Sequence, residues 1–286
     1  MRIAHRYRSA ALLLVLAGGM ALAMSAAWRI AGSGSLRAEQ AQVRRQLDLY
    51  AQALQQRIDR YRTLPQVLAL DPELLAAVSS PLDPARREAL NLRLERANDV
   101  TRSSTLTLIG RDGIALAASN WREPSSNVGL DYGFRPYVRQ ALAEGSGRFY
   151  GVGVTTGEPG YFLSQAIRDP TGATLGVVVI KIELAALERE WLSTPDIVLV
   201  SDAHGVVFLA SRDEWRYRTL RPLDAADRQE LRAVRQYADE ALLPLRVQTL
   251  RELGAGARVA RVEQPALARP ALWQSVDLGE DRWRLH

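Results

Sequence analysis

The sequence predicts an α+β protein: an N-terminal transmembrane helix, a long stalk helix, and two related modules built on antiparallel sheets. Three observations carry this expectation. An uncharged run of twenty residues, Ser9 to Trp28, lies near the start of the chain. Apolar residues at helical spacing follow from Val43 to Leu64. From Leu106 onward the pattern changes to short apolar runs separated by Asp-Gly and His-Gly turns, and one such segment recurs 92 residues later.

At about 1.5 Å per residue, a helix of twenty residues covers roughly 30 Å, the thickness of the hydrocarbon core. Arg2, His5, Arg6 and Arg8 precede it, and positive flanks stay cytoplasmic, so the chain after Arg29 is expected outside the cytoplasm. A cleaved signal peptide, with Ala21-Leu22-Ala23 or Ser25-Ala26-Ala27 as its small-residue site, competes with an uncleaved anchor. Both place the folded part in the same compartment, and the full length of the run favours the anchor.

Gly32-Ser33-Gly34-Ser35 is a flexible break. Val43, Leu47, Tyr50, Leu54, Ile58, Tyr61 and Leu64 then recur at steps of 4, 3, 4, 4, 3 and 3, one apolar stripe along a helix of about 29 residues that ends near Pro65. Such a helix packs on its own domain and, where it leaves the membrane, can also pair with a second copy. A second helical stretch runs from Pro84 to Arg102. Leu106 to Ile109 and Ile114 to Ala117, joined through Asp112-Gly113, read as a hairpin. Val198 to Val200, His204-Gly205 and Val206 to Ser211 repeat it. Between them the sequence predicts a helix over Phe134 to Glu144, a hairpin of Arg148 to Val154 with Tyr161 to Arg168, a strand over Leu175 to Leu184, and a short helix over Ala185 to Trp191. Beyond Pro195 it predicts a helix near Ala225 to Glu240 and strand-like runs at Arg258 to Ala260 and Trp283 to Leu285. The expected division is residues 1–30 for the cytoplasmic tip and membrane helix, 36–102 for the helical part, 103–192 and 193–286 for the two modules. The second is expected to be incomplete at its C-terminus, because the chain stops at His286 inside an apparent strand.

Composition excludes several classes. Hydrophobic residues make up 47% of the 286 and charged residues 24%, which suits a packed core and excludes a disordered or collagen-like chain. Of the net charge of +5, three charges sit on Arg2, Arg6 and Arg8, and no dense basic stripe accompanies the rest, so nucleic acid is not an expected partner. With no cysteine there is no disulfide framework and no thiolate chemistry, and His5, His204 and His286 lie too far apart to suggest a metal cluster. No phosphate-binding glycine loop is present, and Gly151-Val152-Gly153 is too short a signal to imply one. Ser201-Asp202-Ala203-His204 holds the residue types of a hydrolase triad, but they crowd into one turn whereas triads assemble across space. Neither a cofactor nor a catalytic residue is expected.

Two residues carry a chemical signal. Lys181 is the only lysine among 37 basic residues, and it stands in Val177-Val178-Val179-Ile180-Lys181-Ile182, where its stem should be buried. A buried ammonium needs a partner, and a compact three-donor charge is something arginine does not reproduce. That partner is either a ligand or a nearby carboxylate such as Glu183, unless the amine snorkels to solvent. Arg135, in Asp131-Tyr132-Gly133-Phe134-Arg135-Pro136-Tyr137, sits where a loop enters a helix and is suited to gripping a carboxylate; pairing with Asp131 is the plainer reading. Thr155-Thr156-Gly157 offers hydroxyls and free N–H groups, as hairpin turns commonly do.

In order along the chain, Asn120-Trp121, Val128-Gly129, the Asp131–Tyr137 run, Arg148-Phe149-Tyr150, Thr156-Gly157, Gly160-Tyr161-Phe162-Leu163-Ser164, Lys181 and Trp191 resemble the periplasmic sensor region of bacterial C4-dicarboxylate sensor histidine kinases. The resemblance extends over nearly the whole chain and is more specific in the first module than in the second. It implies a double Cache (tandem PAS-like) fold whose membrane-distal module binds succinate, fumarate or malate. It further implies that Arg135 and Tyr137 hold one carboxylate, that Lys181 and Ser164 hold the other, and that Thr156, Gly157, Tyr132 and Tyr161 line the pocket. The chain contains neither a second membrane helix nor a kinase core, so any kinase activity would belong to a longer parent. The same module on a chemoreceptor or a cyclic-dinucleotide enzyme, or an exported solute-binding protein for another small acid, is the alternative. A homodimer through the long helix is the expected assembly.

Overall fold

The structure, a computed structural model, describes residues 37–286. The run from Ser9 to Trp28 and the break at Gly32 to Ser35 lie outside these residues. No helix among the described residues is long and apolar enough to cross a membrane.

Helix α1 occupies residues 37–62 of the described chain. Its stripe is buried as the spacing predicts: Leu47, Leu54, Ile58 and Tyr61 are each under a tenth exposed, and Val43 and Tyr50 pack against them. The partner is the chain's own core, so this face is not open to a second copy. Three helices follow: α2 (Leu64–Leu68), α3 (Pro72–Ser79) and α4 (Pro84–Thr101). Both α3 and α4 begin with an aspartate cap and a proline in the first turn: Asp71 accepts from the Glu73 amide and Asp83 from the Arg86 amide. Helix α4 stops at Arg102, which takes the left-handed conformation.

Strands β1 (Thr105–Gly110), β2 (Ala115–Ala118), β3 (Ser146–Val152), β4 (Pro159–Arg168) and β5 (Thr174–Ile182) form one antiparallel sheet in the order β2-β1-β5-β4-β3. The long apolar strand β5 is central, which is why it reads as nearly continuous Val and Ile. Side-chain alternation divides the sheet between two cores. Leu106, Leu108, Leu163, Val178, Ile180 and Ile182 face the α1–α4 side. Ile109, Phe162, Val177 and Val179 face the other side with α5 (Pro136–Glu144). Lys181 alternates onto this second side, opposite Thr105 on β1 and Phe162 on β4.

After α6 (Ala185–Leu192), strands β6 (Leu199–Ser201) and β7 (Val207–Ala210) reproduce the first hairpin. The Leu106 amide donates to Ser119 Oγ at 3.0 Å, and the Val198 amide donates to Ser211 Oγ at 2.9 Å. The Gly110–Ile114 backbone bond has its counterpart in Asp202–Val206, and both turns place a glycine, Gly113 and Gly205, at positive φ. The spacing of 92 residues is therefore kept bond for bond within the hairpins.

Helix α7 (Ala225–Ala233) is shorter than the predicted Ala225 to Glu240. It starts on a capping box between Asp224 and Asp227, but past Ala233 the chain turns through left-handed Arg235 and Ala238, a conformation no helix accommodates. Strands β8 (Arg246–Gly254), β9 (Ala257–Gln264) and β10 (Ala271–Gln274) form a three-stranded antiparallel sheet of which the sequence shows only Arg258 to Ala260. Strand β8 is largely exposed, so burial writes no clear alternation into it. Strands β11 (Val276–Leu278) and β12 (Trp283–Leu285) complete a four-stranded sheet, β11-β12-β6-β7.

Candidate functional site

The sheet face that carries Lys181 is roofed by the loop between β2 and α5, by the first turn of α5, and by the turn between β3 and β4. Tyr132, Arg135, Tyr137, Thr156 and Lys181 meet there around one cavity, together with Thr105, Thr107, Asn127, Thr155 and Phe162. The void enclosed is about 30 Å³, room for one or two water molecules.

Lys181 is 5% exposed. Its Nζ donates to Thr156 Oγ1 at 3.3 Å, and among the described residues it has no carboxylate in ion-pair contact. Glu183, the expected alternative partner, instead accepts from Ser104 Oγ at 2.8 Å. Burial lowers the lysine pKa from its ordinary value, opposed by the more distant charges of Glu183 and Glu158. The site therefore holds a buried cation with a hydroxyl for a hydrogen-bond partner and, among the described residues, no carboxylate in contact with it.

Arg135 occupies the position before the first turn of α5 without a capping side-chain hydrogen bond, and it is 1% exposed. It does not pair with Asp131, whose carboxylate accepts from the Gly133 amide. Its Nη1 donates to the carbonyls of Val234 at 3.0 Å and Arg235 at 3.1 Å, and its Nη2 donates to the Val152 carbonyl. Its Nε is buried with no partner. Burial lowers the guanidinium pKa; Tyr137 and Tyr132 oppose the shift, and Arg235 adds to it.

Tyr137 stacks on Phe162 with ring centroids 4.8 Å apart and planes 5° apart. The Tyr132 hydroxyl donates to Asn127 Oδ1 at 2.9 Å, and burial pushes its pKa up to about 12, so it remains a neutral donor. Asn127 also accepts from Thr155 Oγ1 at 3.0 Å and donates to Thr107 Oγ1 at 2.9 Å. One amide thus joins the sheet, the roof loop and the β3–β4 turn.

Three of the expected pocket residues lie elsewhere. Ser164 is on the correct face of β4 but lies beneath α5, where its hydroxyl is within hydrogen-bond distance of the Tyr137 and Gly147 carbonyls. Tyr161 points to the opposite face, as one residue of offset from Phe162 requires, and donates to Asp281 Oδ2 at 2.8 Å. Gly157 sits in the β3–β4 turn at positive φ without lining the cavity. Thr155, of the turn already noted in the sequence, lines the cavity too; Asn127, Thr105 and Thr107 line it without having been singled out in the sequence. Thr105 and Thr107 do leave a trace, two hydroxyls alternating with leucines in Thr-Leu-Thr-Leu. Asn127 leaves none.

The Ser201–His204 segment forms no triad. Asp202 accepts from Tyr237 and from the amides of its own turn, His204 contacts Asp227 at 2.9 Å, and Ser201 contacts His286 at 2.9 Å. No cluster of three or more His, Asp or Glu suited to a metal ion occurs among the described residues.

No protein-family model matches the chain. The C4-dicarboxylate transport sensor protein DctB of Pseudomonas aeruginosa is 38% identical over 207 residues, covering 72% of this chain and 34% of that protein. DctB of Rhizobium meliloti is 35% identical over 237 residues, covering 83% of this chain and 37% of that protein. The chain thus spans little more than a third of the length of these curated relatives. Among solved structures, the sensor domain of the V. cholerae histidine kinase DctB superposes with a TM-score of 0.78 at 28% identity, covering 85% of this chain and 93% of that one. By sequence and by fold alike, the chain is a homologue of the DctB C4-dicarboxylate transport sensor proteins and has the fold of a DctB sensor domain.

Proposed function

We propose that this chain is the periplasmic ligand-sensing region of an inner-membrane sensor histidine kinase and that it binds a C4-dicarboxylate in the cavity between Lys181 and Arg135. The observation that carries the reading is the Lys181 ammonium: buried, held by a hydroxyl, and with no carboxylate in contact among the described residues. A desolvated charge of this kind is stabilised by an anion, and the orphaned Arg135 Nε offers a second charged donor in the same cavity. A small diacid satisfies both. A monoacid leaves one cation unpaired at a cost of about 2–5 kcal/mol, which selects against acetate-like competitors.

On this reading residues 103–192 form the membrane-distal, ligand-binding PAS-like module and residues 193–286 the proximal one, with residues 1–30 as cytoplasmic tip and membrane helix. The repeated hairpin supports two related modules. A four-carbon diacid is larger than the present void, so it enters with displacement of the β3–β4 turn, which Thr155 ties to Asn127 and Thr156 ties to Lys181. The occupied state must differ from the empty one in the arrangement of the helices that lead to the membrane, because a ligand that binds two arrangements equally shifts neither. Pairing of two copies along α1 belongs to the same proposal. Its apolar stripe is already buried in its own core, so pairing would use the other faces of α1 or residues 1–36.

Isothermal titration of the 286-residue chain in detergent with succinate, fumarate, malate and acetate tests the reading. The three diacids are expected to give saturable heats and acetate none. No heat from any diacid would overturn it.

A further inference from the structure

We infer that Arg135 is a latch between the anion cavity and the loop that follows α7, and that an anion in the cavity releases it. The inference rests on the anion-binding reading above for the identity of the trigger.

Arg135 belongs to two places at once. It lines the cavity, yet its guanidinium donates to the carbonyls of Val234 and Arg235, about a hundred residues away in sequence. The adjoining residue of the loop is held from the same side: the Val152 amide donates to the Gln236 carbonyl at 2.8 Å. Val152 in turn receives Arg135 through its own carbonyl, so one arginine and one strand residue clamp three consecutive loop residues. Beyond the clamp, Gln236 Nε2 and the Tyr237 hydroxyl both donate to Asp202 Oδ2, in the repeated hairpin. The path from the cavity into the second half of the chain is therefore contiguous: Arg135, residues 234–237, Asp202.

Two further features make the clamp a switch in waiting. The loop is strained, with Arg235 and Ala238 in the left-handed region at φ of 49° each. Residues without the freedom of glycine hold that conformation only when their surroundings enforce it, and the Arg135 bonds are part of the enforcement. The clamp also gathers like charges: the Arg135 and Arg235 guanidinium carbons lie 5.4 Å and 5.1 Å from the centroid of the Phe134 ring, and among the described residues the partners of Arg135 are carbonyls and aromatic rings, none of them anionic. A carboxylate is a stronger acceptor for a guanidinium than a backbone carbonyl, and the Arg135 Nε has no hydrogen bond among the described residues to give up. Binding to the free guanidinium in preference to the clamped one supplies the differential affinity that a shift between two states requires.

Amide hydrogen exchange across residues 234–239 and at Val152, measured on the 286-residue chain in detergent, tests this. Saturating succinate is expected to speed exchange there about tenfold or more, the scale of losing charge-assisted hydrogen bonds, with Arg135→Gln doing the same without ligand. Succinate is expected to add nothing further in that variant. Arg135→Lys, which keeps the charge but cannot span two carbonyls in one fork, replaces it if the glutamine variant does not fold. Unchanged loop exchange in a sample whose calorimetric heat shows saturation overturns the latch and leaves the binding reading standing. Wild-type exchange in the Arg135 variant overturns the clamp itself. Absence of heat with succinate defeats the binding reading and, with it, the release step.

Discussion

Lys181 and Thr156 meet across the cavity with Nζ 3.3 Å from Oγ1, a long hydrogen bond between a buried ammonium and a neutral hydroxyl. A surface hydroxyl in water would serve the charge equally well, so this contact does not by itself explain why the lysine is buried.

If the missing partner is a ligand, Lys181→Met should reduce succinate affinity by about a hundredfold or more, since the ligand carboxylate is left unpaired at roughly 2–5 kcal/mol. The same change removes an uncompensated buried charge, so the melting temperature of the empty protein should hold or rise. Calorimetry and thermal denaturation on one preparation check both halves. Loss of stability together with affinity would mean that the lysine serves the fold.

The direction of the lysine shift sets a pH dependence. Burial lowers its folded pKa below the ordinary 10.5, so between the two values the unfolded chain binds the extra proton and the empty protein gains stability as pH rises. Succinate, which needs the charged form, should bind more weakly as pH rises through the lowered value, with proton uptake on binding near it. Titrations in buffers of different ionisation enthalpy measure that uptake, and Lys181→Met should abolish it.

Gly160 lies on β4 against the lysine stem. A Cβ there would stand 2.6 Å from Lys181 Cε, 2.8 Å from its Cγ and 3.2 Å from the Ile182 carbonyl. Gly160→Ala should displace the amine from Thr156, lowering succinate affinity about tenfold, with an overpacking cost of about 1–3 kcal/mol in chemical denaturation.

Tyr161 and Ser164 separate the cavity from its supports. Tyr161→Phe loses the bond to Asp281 and should lower stability by about 1 kcal/mol while succinate affinity stays within about twofold. Ser164→Ala, which withdraws a buried hydroxyl from two carbonyls, should behave alike. A large loss of affinity in either would return that residue to the ligand.

His286 is half-buried among Ser201, Trp273 and Ser275, and desolvation of its ring, aided by Arg284 and Arg258, lowers its pKa to about 3. Between that value and the ordinary 6.5 the unfolded chain carries the extra proton, so stability should fall as pH drops below about 6.5. Urea denaturation between pH 7 and pH 4 should show a shallower fall in His286→Gln.

Local chemistry explains which parts of this structure were legible in the sequence. The stripe from Val43 to Leu64, the Val-rich β5 and the repeated hairpin each write burial or turn geometry directly into residue order. Lys181 stood out because one lysine among arginines inside an apolar strand has no local reason to be there. The end of α7, strands β8, β10 and β11 and most of β9 were hidden, since the former is set by left-handed residues held from another part of the chain and β8 is mostly exposed.

Sequence alone determined the α+β class, the order of the main segments in the first half of the chain and the prominence of Lys181 and Arg135, because these depend on periodicity and on residue type. Only the tertiary structure decided which side chains share a cavity. Alternation on β4 sends Tyr161 to one core and Phe162 to the other; α5 covers Ser164; Asn127 arrives from a loop with no pattern of its own; and Arg135 reaches the loop after α7, about a hundred residues away. Contacts between distant segments form only when the backbone has folded, so no local pattern can announce them.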